Sequence, residues 1–93
     1  MKYEVVATAA FKKELKIIKK RHKDLMKLKQ IVDVLSSGDQ LSEKYKDHKL
    51  IDTPRFKNCR ELHIEPDWLL VYRIDNNELI LVLVETGSHS DLF

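Results

Sequence analysis

The residues able to do chemistry fall in two stretches of the 93-residue chain, with one more imidazole between its helices and its first hairpin. Asn58 to Ile74 reads N-C-R-E-L-H-I-E-P-D-W-L-L-V-Y-R-I and supplies His63, Asp67 and Trp68. Glu85 to Phe93 reads E-T-G-S-H-S-D-L-F and supplies His89 and Phe93, while His48 stands in Y-K-D-H-K-L. Imidazoles titrate close to neutral pH and a carboxylate can accept or orient a proton, so the set suits general acid–base work. No serine or cysteine is matched with a base in a nucleophile elbow, and no glycine-rich loop cradles a phosphate or dinucleotide. RNA cleavage needs only proton transfer: a base takes the 2′-hydroxyl proton, that oxygen attacks phosphorus, and an acid protonates the departing 5′-oxygen. Cationic side chains can stabilise that transition state without a metal. Trp68 and Phe93 would give flat faces on which splayed bases stack.

Each of these residues also has a plainer reading. His63 alternates with Leu62 and Ile64 and could be a solvent-facing strand residue; Trp68 opens a strand and, taken alone, belongs to a core; Phe93 could tuck against a sheet. Three His and one Asp resemble a metal site, but H-x-x-x-D across a turn matches no standard ligand spacing, so neither metal nor cofactor is expected. Arg60 lies three positions before His63, on the opposite strand face, and reads as a structural ion-pair residue. His22, among cations at a helix junction, is given no chemical role.

These residues need elements to bring them together. Lys2 to Ala7 is short, β-branched and aromatic, a first strand. Thr8 can cap a helix in which Phe11, Leu15 and Ile18 form the apolar stripe and Lys12, Lys13, Lys16, Lys19 and Lys20 the other faces. Asp24 can cap a second helix with its stripe at Leu25, Leu28, Val32 and Leu35, stopped by Ser36-Ser37-Gly38-Asp39. Residues 40–56 read as a crossing loop with room for one helical turn. Glu65-Pro66-Asp67 is a tight turn between two strands, and Asn76-Asn77 can serve as a two-residue hairpin loop before the apolar run Leu79 to Val84. The outline is β-α-α-β-β-β, a single α+β domain over residues 1–93: an antiparallel sheet packed on an N-terminal helical hairpin. Two helices cover one face of such a sheet, and the other is expected to stay partly open. The strand after Asp67 runs away from the proline turn and the next runs back, so His89 should arrive beside Asp67 and Trp68.

The totals exclude much else. At 43% hydrophobic with two Gly and two Pro, the chain is globular rather than disordered. No apolar run is long enough to cross a bilayer, and the N-terminus lacks a secretion signal. With Cys59 the only cysteine there is no internal disulfide, and a cytoplasmic setting is expected. The net charge of +2 divides unevenly, residues 1–30 carrying ten Lys or Arg against three acids (+7) and residues 31–93 seven against twelve (−5). A basic half of this kind suits a polyanion, and equally a solvated lysine-rich helix face.

Four segments together, R-H-K-D at 21–24, Y-K-D-H-K-L at 45–50, H-I-E-P-D-W-L-L-V-Y at 63–72 and T-G-S-H-S-D-L-F at 86–93, resemble the YafQ branch of the RelE/ParE toxin superfamily. The resemblance spans nearly the whole chain in order. It implies the toxin of a bacterial toxin–antitoxin pair, a ribosome-dependent endoribonuclease that cuts messenger RNA in the A site without a metal. It implies catalytic roles for His48, His63, Asp67 and His89, with Asp67 as base helped by His63 or His48 and His89 as acid. It also implies support or base contact by Trp68 and Phe93. The implied partners are a DinJ-type antitoxin, the ribosome and messenger RNA, with operator DNA reached only through the antitoxin complex and no membrane. Glu85 departs from the pattern, because relatives often carry a basic residue before the T-G-[ST]-H ending. The competing readings are a non-enzymatic ParE-type inhibitor of gyrase and a plain RNA-binding module.

Overall fold

In the computed structural model, which describes residues 2–93, the chain forms one five-stranded sheet with helices on both sides. Strand β1 (Glu4–Ala7) leads into helix α1 (Ala9–Lys20), and α2 (Leu25–Ser36) follows after a short link. The helix starts are where the sequence places them. The Thr8 hydroxyl accepts from the Phe11 N–H at 3.0 Å and the Asp24 carboxylate from the Met26 N–H at 3.0 Å. A 3₁₀ turn, Glu43–Tyr45, interrupts the crossing loop and delivers a two-residue strand β2 (His48–Lys49). Strands β3 (Arg60–Glu65), β4 (Trp68–Asp75) and β5 (Ile80–Gly87) form the meander, and the chain closes in one helical turn, α3 (His89–Leu92).

The strand order is β1-β5-β4-β3-β2, one strand more than the sequence outline. His48–Lys49 is too short and polar to read as a strand, yet it pairs antiparallel with Arg60 and Glu61. The sheet is also mixed rather than antiparallel throughout. Strand β1 runs parallel to β5, Glu4 beside Ile80 and Ala7 beside Leu83. The Asn76-Asn77 loop is longer than the expected two residues, because Asp75 pairs with Ile80 and Leu79 takes a left-handed φ of 54°. The Asp75 carboxylate ties that loop by accepting from the Asn77 and Glu78 N–H groups.

One face of the sheet presents Leu62, Ile64, Trp68, Leu70, Tyr72, Leu81 and Leu83 to Phe11, Ile18, Leu28, Ile31 and Leu35 of the two helices. The other face does not stay open. Leu69, Val71, Val82 and Val84 are covered there by Phe56 of the crossing loop, by Cys59 just ahead of β3 and by Leu92 of α3, with Leu50 of the loop packed alongside. That loop is mostly polar, but Leu50 and Phe56 suffice to anchor it. It is bound at its base by the Leu50 N–H to the Cys59 carbonyl and the Thr53 N–H to the Phe56 carbonyl.

Two irregularities set which side chains face where. In β3, His63 pairs with Leu69 but Glu65 with Trp68, so Ile64 is an extra residue. In β5, Leu83 pairs with Tyr72 but Glu85 with Val71, leaving Val84 extra. An extra residue shifts the alternation of everything after it by one. Glu65 thereby turns to the helix face, where Lys23 and Lys27 each donate to it at 2.9 Å, and Thr86 turns toward Trp68.

Candidate active site

Four of the sequence candidates, His48, His63, Asp67 and His89, meet at one end of the sheet. Asp67, in the two-residue turn between β3 and β4, lies beside His89, the first residue of α3. Its Oδ1 accepts the His89 backbone N–H at 3.0 Å and contacts Nδ1 of the ring at 2.8 Å. The His63 ring sits 5.7 Å from that of His89 and 6.5 Å from that of His48, centroid to centroid. His63 occupies the middle of the row.

The three rings share one polarity. His48 Nδ1 lies 2.7 Å from the Lys46 carbonyl oxygen, His63 Nδ1 lies 3.2 Å from the Pro66 carbonyl oxygen, and His89 Nδ1 faces the Asp67 carboxylate. A carbonyl or an ionised carboxylate can only accept, so each Nδ1 carries a proton and each Nε2 is left for other chemistry. Asp67 remains ionised: the His89 backbone N–H, then the His89 ring, hold its carboxyl below the ordinary value. With Oδ1 engaged by both the backbone N–H and the ring of His89, Asp67 is suited to orienting that ring. This differs from the expectation of Asp67 as base.

Glu61 belongs to the cluster and is not among the sequence candidates. It is only 5% exposed, with Oε1 3.6 Å from His48 Nε2 and 3.9 Å from His63 Nε2. Those separations exceed hydrogen-bond range but place a buried negative charge beneath two imidazoles. A signal for it exists: Glu61 stands two positions before His63 on one strand, hence on the same face. Glu61, His63 and His89 also offer ligand atoms within 4.8 Å of one another. Two imidazoles and a carboxylate are a donor set that suits a zinc- or copper-like ion.

Helix α3 is held from two sides. The Arg21 guanidinium donates to Asp91 at 2.7 and 3.3 Å and keeps that carboxyl well below the usual range. Asp91 and Ser88 close a reciprocal cap at the start of the same helix. On the other side Arg55 donates to the Leu92 carbonyl at 2.9 Å and grips Glu85 through Nε at 2.8 Å and Nη2 at 2.5 Å. This accounts for the acid at position 85: it is buried against an arginine from the crossing loop. Glu14 of α1 completes the group, its Oε1 accepting the Thr86 N–H at 3.1 Å, a donor beyond the end of β1. Burial, and then the bond to Glu85, push the Glu14 carboxyl up to about 7.

The aromatic candidates separate. Trp68 is 0% exposed, its Nε1–H donating to the Thr86 hydroxyl at 3.0 Å, so it has no face to offer a base and supports the site from beneath. Strand β4 starts at Trp68 on the helix face, where α1 and α2 cover it. Phe93 is 62% exposed and leans on Phe56 with ring centroids 5.6 Å apart. Arg60 is a structural residue, as its strand face implies, donating to Asp47 at 3.1 Å; Asp47 also accepts from the Tyr72 hydroxyl at 2.7 Å. Burial raises the pKa of the Cys59 thiol, which leaves it no nucleophile.

A small α+β domain built on one five-stranded sheet is the fold this chain shares with solved bacterial toxins of toxin–antitoxin systems. Residues 3–93 match the family described as "Bacterial toxin of type II toxin-antitoxin system, YafQ", and the chain belongs to that family. It is 36% identical over 91 residues to the mRNA interferase toxin YafQ of Escherichia coli strain B/BL21-DE3, covering 97% of this chain and 95% of that one. Among solved structures it is similar to a metal-bound toxin from Helicobacter pylori, with TM-score 0.89, 43% identity and coverage of 98% and 99% of the two chains. It is also similar to a chain of the E. coli DinJ-YafQ complex, with TM-score 0.86, 36% identity and 98% of each chain covered. Among the described residues no helix is long and apolar enough to cross a membrane.

Proposed function

We propose that this toxin cleaves messenger RNA in the ribosomal A site by acid–base transfer between His63 and His89. The observation that carries the reading is the common polarity of the imidazoles, each Nδ1 spent on an acceptor and each Nε2 available. His63 Nε2 takes the 2′-hydroxyl proton, and the 2′-oxygen forms its bond to phosphorus. The bond from phosphorus to the 5′-oxygen breaks as the protonated His89 gives that oxygen its Nε2 proton, leaving a 2′,3′-cyclic phosphate and a 5′-hydroxyl. Asp67 holds the His89 ring in the orientation that the transfer needs. His48, beside His63, brings a third imidazole to the phosphate oxygens. Phe93 offers its exposed face to a base.

No metal enters this reaction. Glu61, His63 and His89 would hold one, and bound there it withdraws imidazole lone pairs from proton transfer. The exposed Lys12, Lys13, Lys16, Lys19 and Lys20 of α1 give a sequence-independent, salt-sensitive attachment to ribosomal RNA. A DinJ-type antitoxin is the neutralising partner, as in the DinJ-YafQ complex of the relatives. Operator DNA is reached only through that complex, in the bacterial cytoplasm.

Primer extension on a translated message, run with the wild-type protein beside His89→Ala, tests the reading. Cleavage by the wild type and none by the variant, with ribosome co-sedimentation retained, is the expected result. A variant that cuts as well as the wild type would overturn it. Arrest of purified gyrase instead of translation would favour the ParE-type alternative.

A further inference from the structure

The catalytic row does not account for a second concavity beside it. A cleft of about 480 Å³ opens between α2, the 3₁₀ turn and the far end of β3, its lining including Lys27, Gln30, Lys44, Tyr45, Lys46 and His63. Its volume falls within the ~300–1,000 Å³ typical of small-ligand sites. We propose that this cleft is a subsite for the nucleotide flanking the scissile phosphate, with Lys44 and Lys46 binding its backbone. The assignment rests on the ribonuclease reading above and extends it to where the substrate strand runs.

Three observations meet here. The first is charge. Glu65 is the one acid lining the cleft, and Lys23 and Lys27 already share it at 2.9 Å each. Lys44 and Lys46 are exposed, and among the described residues neither forms an ion pair. Two free ammonium groups on one rim suit a strand of phosphates. The second is continuity with the chemistry. His63 lines both the cleft and the catalytic row, and the Lys46 carbonyl accepts the His48 Nδ1–H at 2.7 Å. A strand whose phosphate sits between His63 and His89 therefore has the cleft as its next station. The third is construction. Strand β2 covers its edge of β3 only at Arg60 and Glu61, so beyond them β3 is paired with β4 alone and its other edge has no neighbouring strand. Tyr45 supplies an aromatic wall, with the Lys44 ammonium 5.0 Å from its ring centroid. Lys46 takes a left-handed φ of 52° that ends the turn beside the cleft. An acidic peptide would meet the same charges, but the shared His63 favours the nucleic acid.

The test is fluorescence anisotropy with a short labelled RNA made uncleavable by 2′-deoxy substitution, titrated at several salt concentrations. The Lys44→Gln/Lys46→Gln double variant should bind about 10-fold more weakly at low salt. The slope of log affinity against log salt should fall by about 1.4, or ~0.7 for each phosphate of a single strand that is no longer neutralised. Gln30→Glu, which adds an acid to the cleft and leaves both lysines in place, should weaken binding in the same direction. Amide NMR of the wild type with the same RNA should show shifts at Gln30 and Tyr45. Unchanged affinity and slope in the double variant, in a protein that still cleaves, would overturn the subsite and leave the ribonuclease reading standing. Unchanged RNA binding together with abolished binding of an acidic antitoxin segment would overturn it in favour of a protein site. If His89→Ala still cleaves, the catalytic assignment fails, while the anisotropy result decides the cleft separately.

Discussion

A single oxygen of Asp67, Oδ1, receives both the backbone N–H and the ring of His89, at 3.0 and 2.8 Å. The two bonds fix the start of α3 and the rotation of its first side chain together. Asp67→Asn, rotated to keep its carbonyl oxygen on the backbone N–H, still accepts that bond but carries no charge. Cleavage should fall by about 10²–10³-fold, within the range of general acid catalysis, with RNA affinity unchanged. Single-turnover cleavage beside equilibrium RNA binding measures this, and a loss confined to affinity would speak against the role.

The proximity of Glu61, His63 and His89 makes a second expectation. A divalent zinc or copper ion in slight excess should inhibit cleavage, and a chelator should restore it. Glu61→Gln removes the anionic ligand and should raise the zinc concentration needed for half inhibition by at least about 10–100-fold, the cost of losing even an outer-shell partner of a metal ligand. Activation by the metal would contradict the metal-free mechanism.

Glu14 predicts a pH dependence of stability. It is a carboxyl whose folded pKa, about 7, lies above its ordinary 4.5, so between those values the folded chain holds a proton that the unfolded chain has released. Stability from this group is complete below about 4.5 and declines as pH rises through 7. Glu14→Gln mimics the protonated acid, accepting from the Thr86 N–H and donating to Glu85. It should raise the melting temperature at pH 8 by about 4–8 °C, roughly 1 kcal/mol after allowance for solvent screening, and change little at pH 5. Asp67, Glu65 and Asp91 have the opposite sign, each depressed by its partners, so their contributions disappear as the medium becomes strongly acidic. Melting curves across pH separate the two effects.

Trp68 is predicted to matter through packing. Trp68→Ala should cost about 3–5 kcal/mol, as for other large buried aromatics. Trp68→Phe should cost less, since Thr86 keeps its bond to the Leu69 carbonyl at 2.7 Å. RNA affinity of the folded Trp68→Phe protein should match the wild type; weaker binding at an unchanged melting temperature would restore the stacking role.

Much of the fold and the site is legible in the sequence because it rests on local rules. Thr8 and Asp24 announce their helices, Pro66-Asp67 its turn, and strand direction alone carries His89 back toward Asp67. What stays hidden depends on one added residue or on distant pairing. The extra Ile64 and Val84 reverse the facing of Glu65 and Thr86, and no alternation count reveals where a bulge falls. Strand β2 exists only because Arg60 and Glu61 are there to pair with it. Burial of Trp68 is within reach of the plainer reading, and its pairing with Phe93 as a second flat face draws it toward RNA instead. Arg55 has no signal: its partner Glu85 lies thirty positions on and reads as an anomaly rather than half of an ion pair.

Strand β1 bonds alongside β5, pairing Glu4–Ala7 with Ile80–Leu83, neighbours separated in sequence by both long helices, the crossing loop and two strands of the meander. During synthesis the opening segment must wait for its mate, and the His89 turn follows that mate out of the ribosome. Pairings this remote in sequence form slowly. The opening strand therefore stays without its sheet neighbour until Ile80–Leu83 have emerged, and the fold cannot close from its first residues onward.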